Sequence, residues 1–281
     1  MTRAFGGDPA VKAALLDRLH AHAADGTLRF GATAWDGRGG SPLGVSTQGG
    51  DCIDYAAQFG YPLALAGLLD PMTAQASPDR AVDATLSWVS SVEVGVDLSP
   101  VPERIVGHLL TAMDGDRLAA PYRAELSALY RAEASGAPQA RRTWAELRER
   151  IAHAAEAETP RSDARTALMA CATACWPLTT SSSVLPTLIS FWLQDVNRCV
   201  EAELGGAARA RAQAMLEAIY RESQPERDAG QHVDIPARFR ARAPLLAAAF
   251  EAQLARDNAR YLDRARTVPA MVLGHLAAIG P

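Results

Sequence analysis

The feature that most constrains this chain is its punctuation. Alanine-rich runs with apolar residues at helical spacing are interrupted repeatedly by a capping residue followed by proline, or by glycine. Proline suits the first turn of a helix and breaks its interior, while glycine favours the position just past a helix end. A chain punctuated in this way folds into many short and medium helices and leaves little room for a sheet. Asp8-Pro9 opens the first helix, with Val11, Leu15, Leu19 and His22 recurring along it and Gly26 as its stop. Asp51 caps a short helix through Phe59, Pro62 starts another to about Ala74, and Ser77-Pro78 and Ser99-Pro100 repeat the signal.

Further along, helices are expected over 119–135, 137–158, 162–176, 186–204 and 207–221. A polar loop is expected over 222–236. A helix over 237–266, bent at Pro244, and a short closing helix after Pro269 complete the chain. The exception is 27–47. There Thr27-Leu-Arg-Phe-Gly-Ala-Thr33 and Ser41-Pro-Leu-Gly-Val-Ser46 flank the turn-rich Trp35–Gly40, which reads as a small hairpin or an irregular extended excursion. The expected class is therefore all-α, a multi-helix bundle or array with a small β-hairpin-like excursion near 27–47. A single domain over 1–281 is expected, with a possible subdivision into 1–116 and 117–281.

Apolar residues make up 48% of the chain, enough for a sizeable core, but aromatics only 6%, so alanine carries close helix packing. A net charge of −4 argues against a nucleic-acid binder or a polybasic membrane protein. The N-terminus lacks a basic region followed by an apolar run, and no stretch of about 18 apolar residues occurs. The four cysteines form no CxxC pair, so reduced thiols in a cytoplasmic protein are expected. No P-loop, GxSxG or HExxH pattern is present, and no metal or cofactor is expected.

The densest mix of glycine, polar and reactive residues is Ser46–Pro62. Cys52 follows Gly49-Gly50-Asp51 and would sit in the first turn of a helix, where amide dipoles favour a thiolate. With His22 or His108 as base it would resemble the nucleophile of a cysteine hydrolase or acyltransferase, although Asp51 and Asp54 oppose a thiolate and a small half-buried residue is the plainer account. Trp35, Gln48, Asp51, Tyr55 and, on the apolar 186–204 helix, Asp195 are candidates for ligand contact. Cys171 and Cys175 at i and i+4, with Cys199, lack a fourth ligand and read as packing.

Phe5–Ala14, the 46–70 region and Val94-Gly-Val-Asp-Leu-Ser99 resemble, over roughly the first 110 residues, a family of uncharacterised alanine-rich helical proteins of bacteria, some encoded among phage-derived genes. No activity is assigned to that family, so the resemblance implies a grouping without a mechanism. Its members tend to carry two histidines four residues apart before a Tyr-Glu pair and a Phe-Gly-Ile-Pro-like turn. Here Gln48 and Cys52 stand at the histidine positions, Tyr55 is kept, Ala56 replaces the glutamate and Phe59-Gly-Tyr-Pro62 keeps the turn. If relatives use that set for metal or acid–base chemistry, this chain has lost or changed it. Two functions are thus expected: a helical binding or accessory protein engaging a protein partner or small molecule through 46–62, with a homo-oligomer as an option, or a thiol-dependent hydrolase or acyltransferase built on Cys52.

Overall fold

The computed structural model describes residues 3–31, 34–113, 117–159, 162–196 and 204–279. Among them the fold is all-α, with no strand or sheet. The chain divides into two compact units, Met1–Asp195 with Arg264–Pro281, and Val196–Asp263. The expected break after 116 falls inside the first unit.

In the first unit a 3-10 turn at Ala4–Gly7 leads into α1 (Pro9–Ala24), α2 (Pro42–Thr47), α3 (Cys52–Phe59), α4 (Leu63–Ala66), α5 (Leu69–Gln75) and α6 (Ala81–Ser90). There follow α7 (Val101–Ala112), α8 (Ala120–Ala134), α9 (Arg141–Glu156), α10 (Asp163–Ala174) and α11 (Val184–Asp195). The second unit holds α12 (Gly206–Glu222), α13 (Gln224–Asp228), α14 (Ile235–Arg242) and most of α15 (Pro244–Ala265). The last helix, α16 (Val268–Ala277), returns to the first unit and packs on α5, α6 and α7.

The helix starts follow local chemistry. Asp8 accepts from the Ala10 amide at 2.8 Å, and Ser162 accepts from Arg165 N–H at 3.1 Å, each closing one of the open amides of a first turn. Lys12, the sole lysine of the sequence, reaches the other end of a helix. Its Nζ donates to Ser90 O at 2.9 Å and Val92 O at 2.7 Å, the carbonyls left open where α6 ends.

The hairpin near 27–47 does not form. The described residues of 28–40 carry only isolated bridges, Leu28 to Gly40 and Trp35 to Gly40, and the second arm is the helix α2. The same signal read elsewhere as a helix start operates here. Ser41 Oγ accepts from Gly44 N–H at 3.1 Å and Pro42 follows it. Glycine at 44 is required because a Cβ there would stand 1.5 Å from Ala34 O. The irregular excursion is held by Asp36, whose Oδ1 accepts the Arg38 and Gly39 amides, both at 2.9 Å, and whose Oδ2 meets Arg29 at 2.6 Å. Those two backbone amides, then Arg29, lower its carboxyl pKa to about 2.

Other departures also have local reasons. The single helix expected over 62–74 splits into α4 and α5 at Gly67, where the backbone of Ser182 passes so close that a Cβ would lie 2.3 Å from its carbonyl oxygen. Ser77-Pro78 makes a turn, Arg80 N–H to Ser77 O at 2.8 Å, before α6 begins. The polar loop at 222–236 contains α13, and Pro244 separates α14 from α15 instead of bending one helix. The 186–204 helix runs from Val184 to Asp195, and residues 197–203, with Cys199, lie outside the described residues.

The core of the first unit has an aromatic centre beneath α3 and α6. Trp88, Tyr55, Tyr61 and Phe5 are all fully buried, and Trp88 stacks on Tyr61 with centroids 5.4 Å apart. The second unit has its own small core of Leu204, Ala212, Ile219, Phe239, Ala247 and Phe250. Its surface carries the Arg238–Glu226, Arg240–Glu251 and Arg242–Glu222 pairs, too exposed to contribute much. No helix among the described residues is long and apolar enough to cross a membrane.

Candidate functional site

The 46–62 stretch divides into two halves with different jobs. Its first half is spent on starting α3. Asp51 Oδ1 accepts Ile53 N–H at 2.7 Å and Asp54 N–H at 3.2 Å, while Asp54 Oδ2 accepts Asp51 N–H at 2.9 Å. This reciprocal capping box uses both carboxylates that flank Cys52. Gln48 is exposed and left-handed at φ 56°, closing α2, and Thr47 Oγ1 donates to Gly50 O at 2.8 Å to hold the link. Upstream, Leu43 N–H donates to Asp70 Oδ1 at 2.9 Å, pinning α2 to α5; burial raises the Asp70 pKa, and bonds from Ser41 and Leu43 oppose the rise.

The second half turns inward and sideways. Tyr55 and Phe59, one helical turn apart, face the core with rings 4.8 Å apart. Trp88 Nε1 donates to Tyr55 Oη at 3.0 Å, and Tyr61 Oη donates to Trp88 O at 2.9 Å. Burial pushes both tyrosine pKa values well above their ordinary range. Gly60 takes φ 71° and lies so close to the N-terminal segment that a Cβ would come within 2.1 Å of Arg3 O. Past that turn Tyr61 stays in the core, and half-buried Pro62 and Leu63 come to the surface.

Beside it opens a cleft of about 610 Å³. One wall is Ala56, Ala57 and Gly60–Leu63; the other is Pro102 and Glu103 of α7, Tyr130 and Glu133 of α8, and Leu178 after α10. The walls are mostly apolar, and the two glutamates are the carboxylates that vary the pattern. Desolvation raises the Glu103 pKa against the pull of Arg131 and Arg104. Desolvation raises that of Glu133 too, opposed by the Leu178 amide. Tyr130 donates its hydroxyl proton to Ala174 O, and burial holds its pKa far above the usual phenol. A pocket of this size with apolar walls and a few convergent polar groups has the form of a small-molecule site. The carboxylates are suited to an ammonium or guanidinium group, whose charge would offset their own desolvation.

The residues expected from sequence are placed elsewhere. Tyr55 is fully buried and bonded, so it cannot meet a ligand. Asp51 is an exposed cap, and Trp35 lies against His22, rings 5.7 Å apart, and against Gly49. Asp195 is buried at the end of α11, with Arg264 Nη1 3.8 Å from its Oδ2 and the same guanidinium donating to Trp192 O at 2.8 Å. None of Trp35, Gln48, Asp51, Tyr55 and Asp195 lines the cleft.

Cys52 is a partly buried free thiol whose sulfur makes no hydrogen bond to a histidine among the described residues. His22 Nδ1 is 2.7 Å from Thr27 Oγ1, and the His108 ring sits 5.4 Å from that of His275. No hydrogen-bonded Cys–His pair of the kind used in nucleophilic catalysis is formed at Cys52 among the described residues. Cys171 and Cys175 are buried, and desolvation drives both thiols up to about 12, the behaviour of packed apolar cysteines. No group of three or more His, Cys, Asp or Glu suited to a metal ion occurs among the described residues.

What sequence reasoning missed is the opposite wall. Glu103 and Glu133 are 30 positions apart on different helices, and no periodicity or motif joins them. The signal that existed was weak: a carboxylate in the first turn of a strongly apolar helix, as at Glu103, and one beside the Gly136 break, as at Glu133. No protein-family model, curated protein or solved structure matches the chain.

Proposed function

We propose that this protein binds a small organic cation, an apolar body carrying an amine or guanidine, in the cleft beside Ala56–Leu63. The observation that carries the reading is the pairing of apolar walls with two carboxyls, Glu103 and Glu133, whose pKa values are raised by burial. A charged carboxylate in such a place is under-solvated, and a ligand cation restores what burial removed. The 46–62 stretch contributes through its second half, as wall and as hinge, and Cys52 plays no part. The thiol-enzyme reading has less support: no histidine among the described residues is hydrogen-bonded to the Cys52 sulfur.

The test is calorimetric titration with 2-phenylethylamine and with its neutral relative 2-phenylethanol. Saturable binding of the amine, absent for the alcohol and weakened about tenfold or more in the Glu103→Gln, Glu133→Gln double variant, is the expected result. Equal binding of both probes, or an amine affinity untouched in the double variant, would remove the reading.

A further inference from the structure

A second cleft, of about 720 Å³, adjoins the first and shares Glu133 and Thr179 with it. Its chemistry is of the opposite sign. The N-terminus of α9 opens on it, with Gln139, Arg141, Trp144 and Ala145 in its wall. That helix start has no side-chain cap and no acid in its first turn; it begins with Arg141 and Arg142 instead. Cations beside the positive end of a helix dipole are unfavourable; Glu146 pairs with Arg142 at 2.6 Å and Glu133 stands in the wall, which leaves Arg141 and Arg148 in positive excess there. Arg148, one wall residue on, lies 4.0 Å over the Trp176 ring and donates to Cys175 O at 3.4 Å. Neither Arg141 nor Arg148 has a carboxylate partner among the described residues.

An independent observation points to a ligand at the same place. Trp144 is only 1% exposed, and its Nε1–H has no hydrogen-bond acceptor among the described residues. A buried donor left unmatched costs about 1–3 kcal/mol, and it is kept where something else uses it. The Tyr130 ring beside it, 5.3 Å between centroids, offers only a π face. On the far side the wall is made of hydroxyls from Thr180, Ser181 and Ser183, and half-exposed Trp176 supplies a flat apolar surface.

We propose that the second cleft is an anion site, taking a small carboxylate or phosphate ester that carries a flat apolar group. The anion lies at the start of α9 between Arg141 and Arg148 and accepts from Trp144 Nε1–H, and the apolar group lies against Trp176. The inference stands apart from the reading of the first cleft: the clefts share Glu133 and Thr179, but the ligand contacts here are Arg141, Trp144, Arg148 and Trp176, and the ligand group has the opposite charge.

The five tryptophans of the sequence make this directly visible. In the full chain labelled with nitrogen-15, Trp144→Phe identifies the Trp144 indole signal. Titration with benzoate and with phenyl phosphate is expected to move that proton downfield to saturation, while benzyl alcohol leaves it in place. Arg141→Ala, a change at an exposed position, should weaken the tighter of the two anions about tenfold. The tighter anion identifies the group as carboxylate or phosphate. Glu103→Gln should leave this titration unchanged, so failure of either cleft's reading is separable from the other. A Trp144 signal that neither anion moves, one that stays upfield on the Tyr130 ring throughout, or one that benzyl alcohol moves equally, would overturn the proposal.

Discussion

Two buried tryptophan–tyrosine groups in the first unit look alike in sequence and differ in what they leave undone. Around Trp88 every polar atom is matched: Nε1–H to Tyr55 Oη, and the backbone carbonyl to Tyr61 Oη. Around Trp144 the neighbouring Tyr130 hydroxyl is matched to Ala174 O, but the indole N–H is not. The first group is a closed network with no cleft-facing donor, and it ties the turn of 46–62 to α6. The second lies where two clefts meet. Satisfied polar atoms in a core mark structure, and an orphaned one beside a cleft calls for a partner from outside the chain, a water or the anion proposed above.

The comparison can be broken most sharply by making the same deletion in both places. Trp88→Phe and Trp144→Phe remove the same atoms from equally buried sites. Trp88→Phe should lose more stability, by about 1–3 kcal/mol in urea unfolding, because only there does a hydrogen bond go with the ring. Equal losses would mean that the Trp144 N–H is satisfied after all. Next in size, Tyr55→Phe should cost about 1–2 kcal/mol, since it strands the Trp88 N–H and turns that site into a copy of the Trp144 one.

Smaller effects sharpen the contrast at the carboxyls. Glu103 and Glu133 have folded pKa values raised by burial, so the folded chain binds protons more tightly than the unfolded one. Below the unfolded value of about 4.3 neither state is charged and nothing is lost. As pH rises from there through the raised folded values, charging disfavours the fold, and the penalty persists above them. Glu133→Gln should therefore be more stable than the parent at pH 7, by a margin kept small by solvent screening, with the gain gone near pH 4. Smallest of all, Cys52→Ser should change stability by less than about 0.5 kcal/mol and leave amine binding as it was. A large loss of binding in that variant would restore the thiol to the site.

Much of the fold was legible because helix ends are local events. Asp8, Asp51, Ser162 and Asp234 cap helices within three residues of themselves, and proline and glycine mark the rest. Ser41-Pro42 carried the same signal, but the surrounding glycines made it look like a strand arm. Only the close approach of Ala34 to Gly44 explains why glycine is there in a helix. The site was far less legible. The reactive appearance of Cys52 came from its neighbours in sequence, and those neighbours are occupied in capping. A base for it had to come from another helix, and no histidine among the described residues bonds to it. The cleft wall of Glu103 and Glu133, and the unmatched N–H of Trp144, exist only after α7, α8 and α9 have been brought beside α3 and α4. Whether a buried donor finds an acceptor is decided by tertiary packing, which no spacing encodes.

The central claim is that 46–62 acts through its second half, as the wall of a ligand cleft, and not through the cysteine turn. Backbone amide shifts in the nitrogen-15 chain under titration with 2-phenylethylamine test it most directly. The expected result is a saturable cluster of shifts at Ala56, Ala57, Gly60 and Leu63, joined by Glu103, Glu133 and Thr179 across the cleft. Shifts centred on Gln48–Asp54 around Cys52, or spread evenly over the chain without saturation, would contradict it.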